Sequence, residues 1–513
     1  MIDNTAATFT SPRRGWLLIV ASILFTAAIA FICLNRTFPL GVPGEWVWNR
    51  LPRSPLFSVV PVVVAAGVFI VLCCVGRKWI ERSHRRTPFA MLLAMLAAIP
   101  LHWSLFFMPD SPMGPERWIL SLSHPSSSGY LIVAIDSETS VPLGEQIAWT
   151  TVDFLRGYEA WIAKQDSFHI GTHPPGLFLV YRWTYRGLSE NTWVTAAIWR
   201  SSPSRVTDAV TLLHRWWKSY PALGLSVIIA VSLLTWLACW LSCPIVYALA
   251  RQVSSPAASY SSATLWLLAP GPLLFMPLAD VGYVLVSSTL AALLIAGPRY
   301  HPHPIFPMLF GILAGVIFIV GINLSLAFTV PLFFAVLAGV FLEPRSFFLL
   351  RWWLTWAAFL LTVGAIVLWF RFGLGFNLPA ILWINLQKHR GFYEAFPRSY
   401  WLWVGVNLIE FAATVGVLSV ALVAAAFTAP RRNRIALAFL ATLIILDLIG
   451  KNLSEAGRLW LFLTPLAAAA AAPVFEPEKL PVRRYFLLLF LEAICAVFLY
   501  SSVEPLLPIA PPL

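Results

Sequence analysis

The chain has 513 residues, 59% of them hydrophobic and 11% charged, with 24 Trp and 36 Phe. A soluble protein of that length cannot bury so much apolar surface, so the bilayer is the main solvent and a water-soluble enzyme or binding module is excluded. The formal charge of +12 points to nucleic acid in a soluble chain; here it reads as topology, because cytoplasmic loops collect Lys and Arg, and no nucleic-acid partner is expected.

The chain opens on "SPRRGWLLIVASILFTAAIAFICL", where Arg13 and Arg14 precede an apolar run containing Ala28-Ile29-Ala30, the outline of a signal peptide. The run continues through Leu34, which favours an uncleaved anchor. Spans are expected at 16–34, 56–76, 88–107, 222–249, 258–277, 281–297, 305–322, 326–342, 350–371, 401–428, 435–449, 459–475 and 485–502. The fold class is therefore all-α, a polytopic membrane protein of about thirteen transmembrane helices. Breaks at Pro and Gly around 270–282 and 320–330 leave re-entrant backbone open there.

If the N-terminus starts inside, alternate loops are "RKWIERSHRR", Arg251, "GPRYHPHP", "EPRSFFLLR", "APRRNR" and "EPEKLPVRR". With the N-terminal pair they hold about half of the 35 Lys and Arg and few of the 23 acids. The expected protein is thus a multi-pass protein of the inner or plasma membrane with a cytoplasmic N-terminus and an extracytoplasmic active face. Residues 1–107 form a three-span segment, 108–221 a large outer loop, and 222–513 a multi-span bundle within one membrane domain. In the loop, Phe154, Leu155, Tyr158, Trp161 and Ile162 recur at helical spacing, as do Val206, Val210, Leu213 and Trp217 with Arg205, Arg215 and Lys218 nearby. These patterns predict amphipathic helices in the membrane interface, with a plain surface helix as the alternative. All six cysteines fall in apolar runs without zinc spacing and read as core hydrophobes.

Ionisable residues in such a chain need a reason, since burying one in hydrocarbon costs roughly 2.5–3.5 kcal/mol on insertion scales. Four groups stand out, all toward the outer face. The first is the outer loop with Asp136, Glu138, Glu145, Asp153, Glu159, Asp166, His169 and His173. The second is "NLQKHRGFYEAFPRSYWLWVGVNLIEF", with Asn385, His389, Tyr393, Arg398, Asn407 and Glu410. The third is "LDLIGKNLSEAGRLW", with Asp447, Lys451, Asn452, Glu455 and Arg458; the last two are three apart and share a helix face. The fourth is Asp280. Glu455 with Arg458 also fits a helix-end ion pair, and Asp280 a helix cap. His169 and His173 at i, i+4 have the spacing of a metal pair, but Gly171 and Pro174 oppose the helix it needs. No metal site is assigned and no cofactor is implied.

The stretch "THPPG" (Thr172–Gly176), an aspartate about 20 residues earlier (Asp153) and the polar lips of later spans resemble the GT-C superfamily of membrane glycosyltransferases, which includes protein O-mannosyltransferases and aminoarabinose transferases. The resemblance covers the architecture of most of the chain but only a few residues of motif. It implies a sugar taken from a polyprenyl-phosphate donor to a glycan, lipid or protein acceptor on the outer face, with an outer-loop Asp or Glu as base. Asp153 and Asp166 are the candidate catalytic acids. The family usually shows two adjacent acids, whereas Phe154 follows Asp153; Glu45 and Asp110 are rival positions, and two extra N-terminal spans would precede the family-like core.

Such chemistry needs a carboxylate to take the acceptor's proton and cations for the departing phosphate, which Arg398, Lys451 and Arg458 supply. His169, His173, His389, Glu410, Asn452 and Glu455 complete the expected substrate-binding set, with Pro174-Pro175-Gly176 as a rigid bend holding the histidines over the cavity. An apolar groove for the prenyl chain makes membrane lipid the surrounding partner. Two other classes remain: a lipid or small-solute transporter or flippase, which accounts for Glu410 and the broken helices, and a non-catalytic GT-C-like scaffold.

Overall fold

A computed structural model describes residues 12–52, 54–111, 113–123, 129–134, 150–165, 170–209, 222–300, 303–342, 349–428 and 433–504. The described chain is helical almost throughout, with two short antiparallel strand pairs. Eight helices are long and apolar enough to cross a membrane: Gly15–Leu34, Phe57–Arg82, His84–Phe107, Leu223–Ala250, Ala279–Arg299, Ile305–Leu324, Leu350–Leu374 and Val482–Ser502. A ninth is Tyr400–Val415 with Val417–Phe427, taken together, although the two halves meet at 108°. The sequence predicts about thirteen spans; among the described residues eight helices, or nine with the bent pair, meet that length and composition, and the four other expected runs take other forms. Of the other four runs, 258–277 is split into Pro256–Trp266 and Pro270–Leu274, and 326–342 and 459–475 are short apolar helices with 3₁₀ turns. The fourth, Arg434–Leu448, has 15 residues.

Position in the bundle explains the split. Every residue of Leu461–Phe475 is buried, as is every residue of Ala257–Trp266, so these segments are jacketed by protein rather than lipid. Backbone freed by Pro270 and Pro272 finds partners there that hydrocarbon could not offer. The alanines at 467–472 let Val417–Thr428 lie against Thr464–Ala471, the close approach that small residues permit in membranes. Long helices form the jacket and turn large apolar side chains outward, among them Phe57, Leu361, Phe372 and Phe427.

Loops expected to share a side do meet. At one end Trp48 packs on Phe275, Asn385 reaches Gly171 and Tyr393 reaches Leu453. At the other, the Arg77 guanidinium donates to the Phe475 carbonyl (3.2 Å), the Ser255 amide to Glu476 (3.0 Å) and Arg299 to the Gln252 carbonyl (3.1 Å). One end gathers carboxylates and aromatics, the other arginines.

The helix expected in the outer loop is Thr151–Lys164, capped by Thr150, whose hydroxyl accepts from the Asp153 amide (3.0 Å). Its apolar stripe does not lie free in an interface. Phe154, Tyr158 and Ile162 are buried, and Trp161 and Tyr158 meet Phe178 of the helix Gly176–Glu190 at ring distances of 5.4 and 5.8 Å. Protein thus replaces the expected lipid. Val206 is buried too, whereas Val210, Leu213, Arg215, Trp217 and Lys218 lie outside the described residues.

Candidate functional site at the acidic end

Helix Tyr400–Val415 supplies the spine of the site. Trp403, Asn407 and Glu410 fall at i, i+4 and i+7 and so form one stripe. Each ties down a different piece of chain. Trp403 Nε1 donates to Glu45 Oε2 (2.7 Å), in the loop after the first helix. Asn407 Nδ2 donates to Asp447 Oδ1 (3.0 Å) and to the Asn452 carbonyl (2.8 Å). Glu410 Oε2 accepts from the Gly457 amide (3.2 Å), with Trp48 and the Ala456 amide as further donors.

Those bonds hold a strained turn. Ser454 (φ 154°) and Glu455 (φ 54°) are the two non-glycine residues with positive φ among those described. Such conformations cost about 1–3 kcal/mol each and persist only when the surroundings impose them. The Glu455 carbonyl accepts from the Arg458 and Leu459 amides (2.9 and 2.8 Å), Tyr393 Oη accepts from the Leu453 amide (2.9 Å), and Trp460 Nε1 donates to Asn452 Oδ1 (3.2 Å). The turn delivers an ion pair: Arg458 Nη2 lies 3.2 Å from Glu455 Oε1, both side chains nearly buried. Burial raises the Glu455 carboxyl above its ordinary range, and the Arg458 charge opposes that shift. The helix-end ion pair read from the sequence is therefore present: Glu455 precedes, in a left-handed conformation, the single-turn helix Ala456–Leu459 that carries Arg458.

Asp280, in the first turn of Ala279–Tyr300, is close enough to act electrostatically on Glu455, Arg458, Tyr130 and Tyr283. The His-Pro-Pro-Gly bend shares Tyr130 with Asp280 as a neighbour. The His173 carbonyl accepts from Tyr158 Oη (2.8 Å) and Asn385 Nδ2 (3.2 Å), and its ring lies edge-on to Tyr130 at 5.8 Å. Pro175 precedes the helix Gly176–Glu190, so His173 stands two residues before the proline-led start of that helix. Burial first, then the charges of Lys451 and His173, depress the His389 pKa to about 4, which keeps that imidazole neutral at pH 7.

The structure thus joins His173, His389, Arg398, Glu410, Lys451, Asn452, Glu455 and Arg458 in one neighbourhood. Asp153 stands apart: its partly exposed carboxylate accepts from the Thr150 hydroxyl and lies 3.8 Å from Arg156, both within or at the start of its own helix. Asp110 is exposed and joined to none of these groups by a described contact, while Glu45 is engaged by Ser399 and Trp403. Asp166 and His169, with Asp136, Glu138 and Glu145, lie outside the described residues. Among the described residues no group of three His, Cys, Asp or Glu is arranged to hold a metal ion. Sequence reasoning missed Trp48, Tyr130 and Tyr283, which carry no local signal; Asp280 was visible, but in the guise of a cap.

Buried polar atoms are nearly always paired. Here His389 Nδ1, Arg398 Nε, Glu410 Oε1, Arg458 Nε, Asn385 Oδ1 and Asn407 Oδ1 are buried without a protein partner. Donors and acceptors left over in one place suit a ligand that is both anionic and rich in hydroxyls. Two grooves of about 630 and 600 Å³ lie elsewhere, at the arginine-rich end, and touch none of these residues. Compared with protein-family models, curated proteins and solved structures, the chain matches none.

Proposed function

We propose that the chain is an integral membrane glycosyltransferase that moves a sugar from a polyprenyl-phosphate donor to a glycan, lipid or protein acceptor at its acidic, extracytoplasmic end. One observation carries the reading: the Glu455–Arg458 pair on its strained turn, within electrostatic reach of Asp280, among buried polar atoms without partners. In this scheme Asp280 takes the proton of the acceptor hydroxyl as its oxygen bonds to the sugar's anomeric carbon, while the bond from that carbon to the phosphate oxygen breaks. Arg458 and Arg398 receive the departing phosphate through charge-assisted hydrogen bonds. The proposed base therefore moves from Asp153, whose carboxylate meets only Thr150 and Arg156 among the described contacts, to Asp280, which acts on Glu455 and Arg458. The five shorter or bent apolar segments are proposed to cross the membrane with the eight long helices, which the pairing of loops at each end supports.

A second reading, transport of the same lipid, is favoured by the break at Gly416 in the ninth span. One experiment separates the two. The purified chain in vesicles is given radiolabelled polyprenyl-phosphate sugars and a pooled envelope acceptor. Release of free polyprenyl phosphate with label in the acceptor is expected, whereas label crossing the bilayer with the donor intact overturns the transferase reading.

A further inference from the structure

Helices Pro12–Leu34 and Leu56–Arg82 both pack on the last helix, Val482–Ser502, and the loop between them does more than connect them. Gly41–Val42 pairs with Trp46–Val47 as a hairpin, and Asn49–Arg50 pairs with Val503–Glu504. Arg50 donates to the carbonyls of Ile32, Cys33 and Phe38 at 2.7–3.0 Å, which pins the loop to the helix it leaves. So anchored, the hairpin presents Glu45 to the start of Tyr400–Val415. Glu45 accepts from the Ser399 amide (2.9 Å), the Ser399 hydroxyl and Trp403 Nε1 (2.7 Å), and its own carbonyl accepts from Arg398 Nη1 (2.7 Å). Arg398 Nε is buried without a protein partner, and its charge acts on Glu455.

We infer that Glu45 is a positioning residue of this site: its carboxylate clamps Ser399 and Trp403, just after Arg398, while its carbonyl holds the Arg398 guanidinium, and so aims that guanidinium at the Glu455–Arg458 pair. The two N-terminal helices are then the mount of one wall of the site and not merely an anchor. For its functional arm this rests on the transferase reading; for its structural arm it does not. A carboxylate with three donors is a stiff hinge pin, and the residue it flanks is the one with hydrogen-bonding capacity left to spend on a ligand.

The test uses the full-length chain in lipid nanodiscs, with a short-chain polyprenyl phosphate as the probe. Glu45→Ala should raise amide hydrogen exchange in 41–50 and 396–404 together and weaken probe binding about 10-fold, the scale of a lost charge-assisted bond. Ser399→Ala, which removes one hydroxyl, should shift both readouts in the same direction by less, and guards against a Glu45 variant that fails to fold. In a double-mutant cycle Glu45→Ala should cost nothing further once Arg398→Ala is present, because it acts through that residue. Unchanged exchange at 396–404, or full additivity with Arg398→Ala, overturns the inference. If the unmodified chain binds no polyprenyl phosphate, the transferase reading fails, and hydrogen exchange alone then decides whether the clamp exists.

Discussion

Asp280 lies within electrostatic reach of Glu455 and Arg458, whereas the side-chain partners of Asp153 are Thr150 and Arg156 of its own helix, and that difference separates the two as candidate bases. Asp280→Asn should lower sugar transfer about 100-fold or more, the usual scale for a general base, with donor affinity little changed. Asp153→Asn should leave turnover within about threefold; the opposite pattern returns the base to Asp153. His389 offers a pH test. Its pKa is depressed to about 4 by burial, Lys451 and His173, so between about 6.5 and 4 the unfolded chain binds a proton that the folded chain refuses. Stability should therefore fall as pH drops through that window, by at most about 1.4 kcal/mol per unit. Thermal unfolding in detergent at pH 7 and pH 5 should show a smaller difference in His389→Phe than in the unmodified chain. Glu410, Glu455 and Arg458 were legible because charge in an apolar run is conspicuous. Tyr130 and Tyr283 were not, since phenols beside apolar residues are ordinary and only distant contacts single them out.

At the scale of elements, glycines decide where helices approach and where they break. A Cβ on Gly176 would sit 2.7 Å from the Asn323 carbonyl carbon, so the Pro-Pro-Gly bend ends in the one residue that lets Gly176–Glu190 seat on the neighbouring helix end. Gly176→Ala should destabilise by about 1–3 kcal/mol, the range for overpacking, read as a lower unfolding midpoint with loss of probe binding. Gly416 has φ 72° and faces Glu492, whose carboxylate accepts from the Val417 amide and caps the second half of the bent span. Hydropathy read 401–428 as one continuous run because nothing local announces the break. Its partner lies on the last helix, and a contact between positions so far apart in sequence leaves no periodicity to detect. The His-Pro-Pro-Gly bend, by contrast, was legible: its geometry is set by residues in sequence.

For the whole molecule, charge bias predicts an alternation of loops, and loops expected on one side meet at each end of the bundle. Orientation can be tested by labelling. Gly44→Cys, at the acidic end, should react with an impermeant thiol reagent on intact cells, and Glu478→Cys, at the arginine-rich end, only after lysis; both positions are exposed. The reverse result inverts the topology and places the site on the cytoplasmic face. What hydropathy could not supply was rank among the apolar runs. Segments such as Leu461–Phe475 are as apolar as any span, yet their Ala-rich faces are enclosed on every side.

The pairing of Asn49–Arg50 with Val503–Glu504 has a bearing on biogenesis. The ribosome releases the first of these segments long before the second is made, so the hairpin that carries Glu45 waits for its zipper through the synthesis of the more than 400 residues between them. Glu492, on that same late helix, is also what the break at Gly416 waits for. A chain stalled or clipped before Val482 would insert many of its helices and yet leave the clamp on Arg398 unfastened. The wall that carries Glu45 is therefore fastened only after Val482–Ser502 has been made, so the early hairpin and the late helix mature together.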